Sequence, residues 1–156
     1  MQHAKSAIVW ITNILEKLNI PFQIAGGLAA RAYGSTRKLE DIDIDIPEDK
    51  FYLVKHEVSE FIVYGPERYK DEIWDVMLMT LNYNGQLIDL SGAYHTKIWN
   101  AKTKKWQELI TDFSKAQIKN IFGIQLPVIS CDELISYKKI LSREVDIKDI
   151  EMIDKK

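Results

Sequence analysis

Cysteine is almost missing from this sequence. A single residue, Cys131, stands among 156, so no internal disulfide can form and a disulfide-stapled secreted scaffold is excluded. Glycine (seven) and proline (four) are scarce too, and no Pro/Gly-rich linker, repeat or low-complexity tract divides the chain. With 46% hydrophobic and 28% charged residues, this length supports one proper core rather than two large ones, and residues 1–156 read as one domain. Long hydrophobic runs are absent. The longest near the amino terminus, Ala7 to Ile11, is too short for a signal-peptide core or a spanning helix, so the expectation is a cytoplasmic protein with no membrane partner. Nor is there an excess of one charge: 21 basic against 23 acidic residues give a net charge of -2, which offers no global reason to expect nucleic acid. Any polyanion must be held locally.

The hydrophobic periods define an α/β (α+β) mixture. Ile8, Ile11, Ile14, Leu15 and Leu18 recur at helical spacing and predict a helix over 4–18, ended by Asn19-Ile20-Pro21. Phe22 to Ala25 reads as a short strand that meets Gly26-Gly27, after which Leu28 to Tyr33 is helical up to Gly34. Ile42, Ile44 and Ile46 alternate with aspartates at the period of a half-buried strand, and Pro47 stops it. A helix over 50–59 and a strand over 61–64 follow. Strands over 73–81 and 86–90 flank Asn84-Gly85, a strong hairpin signal. Trp99 and Trp106 flank a candidate second hairpin within residues 93–120, a stretch with little other pattern. Leu126 to Ile129 reads as a strand, Ser130-Cys131-Asp132-Glu133 as a capping box opening a helix to Ser142, and 145–153 as a last helix. The expectation is a mixed sheet flanked by helices with a C-terminal helical segment over 130–154.

The segment RKLEDIDIDIPED, residues 37–49, carries the chemistry. On a strand, same-face residues lie about 6.6 to 6.8 Å apart, so Asp41, Asp43 and Asp45 point one way and the isoleucines the other. One reading is an edge strand kept soluble by charge. The other is a site for a hard divalent cation, which compensates neighbouring carboxylates with oxygen ligation. An EF-hand is excluded, because counting from Asp41 puts Ile46 and Tyr52 where the loop needs glycine and glutamate. Gly26-Gly27, at a strand end opening a helix, lets backbone N–H groups approach an anion, although the pattern is neither a P-loop nor GxGxxG. Paired glycines in a turn also serve backbone geometry alone.

IAGGLAARAYGSTRKLEDIDIDI resembles the signature of the polymerase-β-like nucleotidyltransferase superfamily, and most closely its small aminoglycoside 2″-nucleotidyltransferases and lincosamide nucleotidyltransferases. The residues that carry the likeness are Gly26-Gly27, Arg37 and Asp41-Ile42-Asp43. It continues in LIDL, residues 87–90, where the family places a third carboxylate, here Asp89. It continues again in LPVISCDELISYKKILSREVDIKDI, which is similar to the closing strand and helices of the lincosamide enzymes. Residues 93–120 match nothing in the family pattern.

The resemblance implies a nucleotidyltransferase fold with its catalytic core over about 20–92. It further implies transfer of a nucleoside monophosphate, AMP from ATP, onto a hydroxyl of a small acceptor such as an aminoglycoside- or lincosamide-like molecule. Two Mg²⁺ ions would be held by Asp41 and Asp43, with Asp89 ligating one or taking the acceptor proton; alone, Asp89 is equally a strand-end aspartate facing solvent. Gly26 and Gly27 would cradle the triphosphate. Arg37 would bind phosphate, or pair with Glu40 or Asp41. Lys138 would meet the β- and γ-phosphates, or be a solvated lysine beside Lys139. Asp45 extends the run and supports the site at most. His3, His56 and His95 have no metal-ligand spacing. Lys97, Lys102, Lys104 and Lys105 read as a basic hairpin rather than a nucleic-acid surface. The alternatives are a toxin/antitoxin-type transferase acting on RNA or protein and a non-catalytic binding module of the same fold; a homodimer would be one way to complete a cleft.

Overall fold

The structure is a computed structural model and describes residues 2–154. Its first helix, α1 (Gln2–Lys17), presents Ala4, Ala7, Ile8, Ile11 and Leu15 to the interior, the last four of them with no exposure. Asn19 ends it in the left-handed conformation at φ 55, and Ile20 N–H returns to Leu15 O, a closure typical of helix C-termini. β1 (Gln23–Ala25) then runs directly into α2 (Gly26–Ala32). The two glycines are thus the first residues of the helix rather than a turn before it. β2 (Asp41–Ile46) is followed by a single 3₁₀ turn and α3 (Phe51–Val58), whose Phe51, Val54 and Val58 are buried.

Three hairpins come next. β3 (Ile62–Lys70) and β4 (Trp74–Tyr83) form the first, β4 and β5 (Gln86–Gly92) the second, and β6 (Thr96–Asn100) and β7 (Lys105–Leu109) the third. Asn84 and Gly85 both take positive φ in the β4–β5 turn, the conformation a two-residue hairpin loop requires. Trp99 and Trp106 are paired across β6 and β7, as their flanking positions suggest. Two findings go beyond the sequence pattern. β3 continues through Gly65-Pro66 to Lys70, the ladder absorbing them as a register shift between Tyr64 and Glu67. And β8 (Gln117–Ile121) pairs with β9 (Ile124–Val128) at one end of the sheet. α4 (Cys131–Leu141) and α5 (Glu144–Asp154) close the described chain.

All nine strands join one mixed sheet in the order β7-β6-β4-β5-β2-β1-β9-β8, with β3 alongside β4. β2 lies inside it, antiparallel to β1 and parallel to β5. That removes the edge-guard reading of the aspartates, because β2 has no free edge to protect. Ile42, Ile44 and Ile46 are completely buried on one face, in the same core as α1, α2 and α3, each worth roughly 1.5–3 kcal/mol of burial. The period of two then forces the aspartates onto the other face. No helix among the described residues is long and apolar enough to cross a membrane.

Candidate active site

Register brings the acidic residues together. In the parallel pairing of β2 with β5, Asp43 stands opposite Asp89, and carboxylate oxygens of Asp41, Asp43 and Asp89 all lie within 4.8 Å of one another. Burial raises Asp43 well above the usual carboxylate range, and the charges of Asp41, Asp89 and Asp45 raise it further while Lys138 opposes them. Asp41 and Asp89 are raised as well, chiefly by burial. Such mutual repulsion favours a proton or a cation at the shared position, and three hard oxygen donors suit a divalent ion such as Mg²⁺. Thr80 on β4, directly opposite Asp89 in the ladder, donates its hydroxyl to one Asp89 oxygen at 2.6 Å and leaves the other for a ligand. Asp45 stands apart from the three. It accepts from Gln23 Nε2 at 3.0 Å, and its carboxyl is pushed up to about 6, by burial first and then by Glu48 and Glu133.

The glycines meet this face at the start of α2. Gly26 has φ +60, and a Cβ there would run into the Asp43 carboxylate; only glycine fits both conditions without strain. Its N–H donates to the Tyr137 hydroxyl at 2.9 Å. The Gly26 amide is therefore engaged, and the Tyr137 O–H, on the cleft wall, keeps its own proton to donate. Burial and the nearby Asp43 and Asp45 push that phenol far above its ordinary range, so it stays protonated. Gly27 is backed by Arg37, whose Nη2 would lie 3.2 Å from a Cβ added there.

Behind the glycines is a cluster the sequence does not announce. Arg37 spans Asp149 with Nε at 3.0 Å and Nη2 at 2.9 Å, so its carboxylate partner is on α5 and is neither Glu40 nor Asp41. Lys138 is 2% exposed and sits between Asp146 at 3.2 Å and Asp149 at 3.1 Å; it is not a solvated lysine, whereas its neighbour Lys139 is exposed. Arg143 binds Asp146 through Nε at 2.7 Å. Burial alone would raise Asp149, but hydrogen bonds from Arg37, Ser35 and Lys138 hold it below the usual range. Among these partners Tyr137, Arg143, Asp146, Asp149, Ser35 and Thr80 were not singled out by motif. The one available signal was the i, i+3 spacing of Asp146 and Asp149, which puts both on one face of a helix.

These groups line one cleft of about 600 Å³, a size suited to a small ligand. Its acidic floor is Asp41, Asp43, Asp45 and Asp89, and Gly26, Gly27, Arg37, Lys138 and Arg143 lie to one side. Tyr64, Tyr69, Trp74, Val76 and Leu78, from the β3–β4 hairpin, add an aromatic and apolar wall. The three histidines are not part of it.

No protein-family model matches the chain, and no curated protein matches it in sequence. Solved structures do match it. A Thermotoga maritima protein proposed to be a nucleotidyltransferase is 19% identical, with 97% of this chain and 95% of that chain covered at a TM-score of 0.67. Lincosamide antibiotic adenylyltransferase LnuA, solved with lincomycin bound, is 16% identical over 94% of each chain, at 0.63. ANT(2″)-Ia in complex with adenylyl-2″-tobramycin is 18% identical over 96% of this chain and 87% of that one, at 0.62. At such identities the likeness is one of backbone architecture, and it extends over nearly the whole molecule: this chain has the nucleotidyltransferase fold.

Proposed function

We propose that the chain is a Mg²⁺-dependent nucleotidyltransferase that moves a nucleoside monophosphate, AMP from ATP, onto a hydroxyl of a small acceptor. The observation that carries this reading is the convergence of Asp41, Asp43 and Asp89 from two paired strands beside a helix that begins on Gly26-Gly27. Asp41 and Asp43 would hold the metal, with Asp89 as third ligand or as the group that takes the acceptor proton. Bound there, divalent ions would supply charge neutralisation for the phosphates and a more acidic acceptor hydroxyl. Thr80, by filling one oxygen of Asp89, directs the other toward the cleft. Tyr137 offers its O–H, and Gly27 and Arg37 stand beside it, where a phosphate chain would need donors. Lys138 contributes its field from within the ion cluster, where it already opposes the charge on Asp43.

The acceptor belongs on the aromatic side. Tyr64, Tyr69 and Trp74 line the cleft with aromatic side chains of the kind that bind sugars and drug-like bodies, and LnuA and ANT(2″)-Ia, structures of the same fold, carry lincomycin and adenylylated tobramycin. Calorimetric titration with each nucleoside triphosphate, with and without Mg²⁺, tests the reading on the wild type and on Asp41→Asn/Asp43→Asn. Metal-dependent binding of ATP that disappears in the double variant is the expected result. A folded wild type that ignores every triphosphate in the presence of Mg²⁺ would overturn it.

A further inference from the structure

The cationic wall of the cleft carries more positive than negative charge. Arg37, Lys138 and Arg143 converge on two carboxylates, Asp146 and Asp149, both fully buried, and three cations against two anions leave one positive charge uncancelled within the cluster. Lys138 has no room to offer it to a ligand directly, being buried with both carboxylates on its ammonium. Arg37 has its side chain 27% exposed and is spanned by Asp149.

Arg143 is placed differently. Ser142 ends α4 in the left-handed conformation at φ 51, which reverses the chain and sets Arg143 on the cleft wall before α5 begins. Its side chain is 40% exposed. Asp146 grips it three times, by the backbone N–H at 3.1 Å, by Nε at 2.7 Å and by Nη2 at 3.2 Å. A guanidinium has five N–H donors, so two side-chain bonds to Asp146 leave three, and among the described residues no acceptor meets them. Its place in the cleft lining brings its charge to the carboxylates around it. It is felt by Asp41 and Asp43 on β2 and by Asp71 in the β3–β4 turn, all of them on the cleft. Well-packed apolar side chains would hold α4 to α5 as firmly as an ionic cluster does. They would not orient a guanidinium.

Building on the nucleotidyl-transfer reading, we propose that Arg143, oriented by Asp146, is a phosphate-binding residue of this cleft and receives the phosphate chain of the nucleoside triphosphate. A planar fork fixed at one end and open at the other suits two phosphate oxygens at once, which a lysine could not match. Asp146 is then a positioning residue, joining Arg143 to the buried Lys138.

The test is calorimetry of Mg·ATP and of Mg·tripolyphosphate, a phosphate chain without a nucleoside, on wild type, Arg143→Gln and Arg143→Lys, with thermal melts alongside. Charge-assisted hydrogen bonds of this kind predict a loss of roughly 10- to 100-fold for both ligands in Arg143→Gln and a smaller loss in Arg143→Lys, which keeps the charge without the fork. Arg143→Gln binding both ligands within about twofold of wild type would show that Arg143 is only the counter-ion of Asp146. If Arg143→Gln does not fold, Arg143→Lys decides alone: folded and binding ATP as wild type does, it overturns the inference. Wild type that binds no triphosphate removes the nucleotidyl-transfer reading and this inference together, whereas the other failures remove only the role of Arg143.

Discussion

Gly26 joins a backbone requirement to a chemical one at a single atom. Its φ of +60 costs any residue with a Cβ about 1–2 kcal/mol, and the Cβ would also displace the Asp43 carboxylate. Gly85 provides the control, because it too has positive φ, +91, but nothing stands within 4 Å of a Cβ placed there. Gly26→Ala and Gly85→Ala should therefore both lower the melting temperature. Only Gly26→Ala should also lose Mg²⁺-dependent nucleotide binding, by tenfold or more in calorimetry. Equal loss in the two variants would mean that backbone strain, not the fit against Asp43, is what glycine serves at position 26.

At the scale of elements, α5 holds the site from outside the sheet. Asp149 accepts from Arg37, from the Ser35 hydroxyl and, together with Asp146, from Lys138, so Asp149→Ala leaves two cations with less compensation than they need and should cost about 3–5 kcal/mol, read as a shift of the urea midpoint. Ser130→Ala removes the cap that accepts Glu133 N–H at 3.2 Å and donates to the Glu133 carboxylate at 3.2 Å and should cost about 1 kcal/mol. If the two midpoints shift alike, the cluster is not the tie between α5 and the glycine helix that its geometry describes. The capping box is legible in the sequence because Ser and Glu three apart announce it locally. So is β2, where isoleucine and aspartate alternate without a break, and so are the glycines beside it. What could not be read depends on partners distant in sequence. Lys138 looks like its neighbour Lys139 until Asp146 and Asp149 come round to enclose it, and those aspartates look like the wet face of a helix. The sequence pattern of β3 stops at Tyr64 because Gly65-Pro66 carries a stop signal, which β4 overrides by pairing on both sides of it. β8, with Gln117, Ile118 and Asn120 exposed and Ile121 its one buried residue, has too little buried face to produce an alternation.

For the molecule as a whole, concentrating acid on one sheet face makes stability depend on pH and on metal together. Asp41, Asp43, Asp89 and Asp45 all titrate above their unfolded values, Asp45 at about 6. Below the unfolded value near 3.8 both states hold these protons and the groups contribute nothing. As pH rises from there through 6, the unfolded chain gives up its protons first, so stability falls and the penalty is complete above the folded values. Asp149 works in the opposite sense: its folded value is depressed, so its contribution is present above 3.8 and is lost on going below it. The metal-free protein should thus be most stable on the mildly acidic side of neutrality and should melt several degrees lower at pH 7.5 than at pH 5, at roughly 2–4 °C per kcal/mol for a chain of this size. A divalent ion bound by the ionised carboxylates reverses that loss, because a ligand of the native state alone stabilises it. Mg²⁺ should raise the melting temperature at pH 7.5 and have less effect at pH 4.5, where protons compete with the ion for carboxylates whose values are raised. Asp41→Asn/Asp43→Asn, relieved of the repulsion, should melt above wild type at pH 7.5 without metal and should not respond to Mg²⁺. A wild-type melting temperature that Mg²⁺ leaves unmoved across this pH range would mean that the aspartate face holds its charge without a cation, and the metal-dependent reading of the cleft would fall with it.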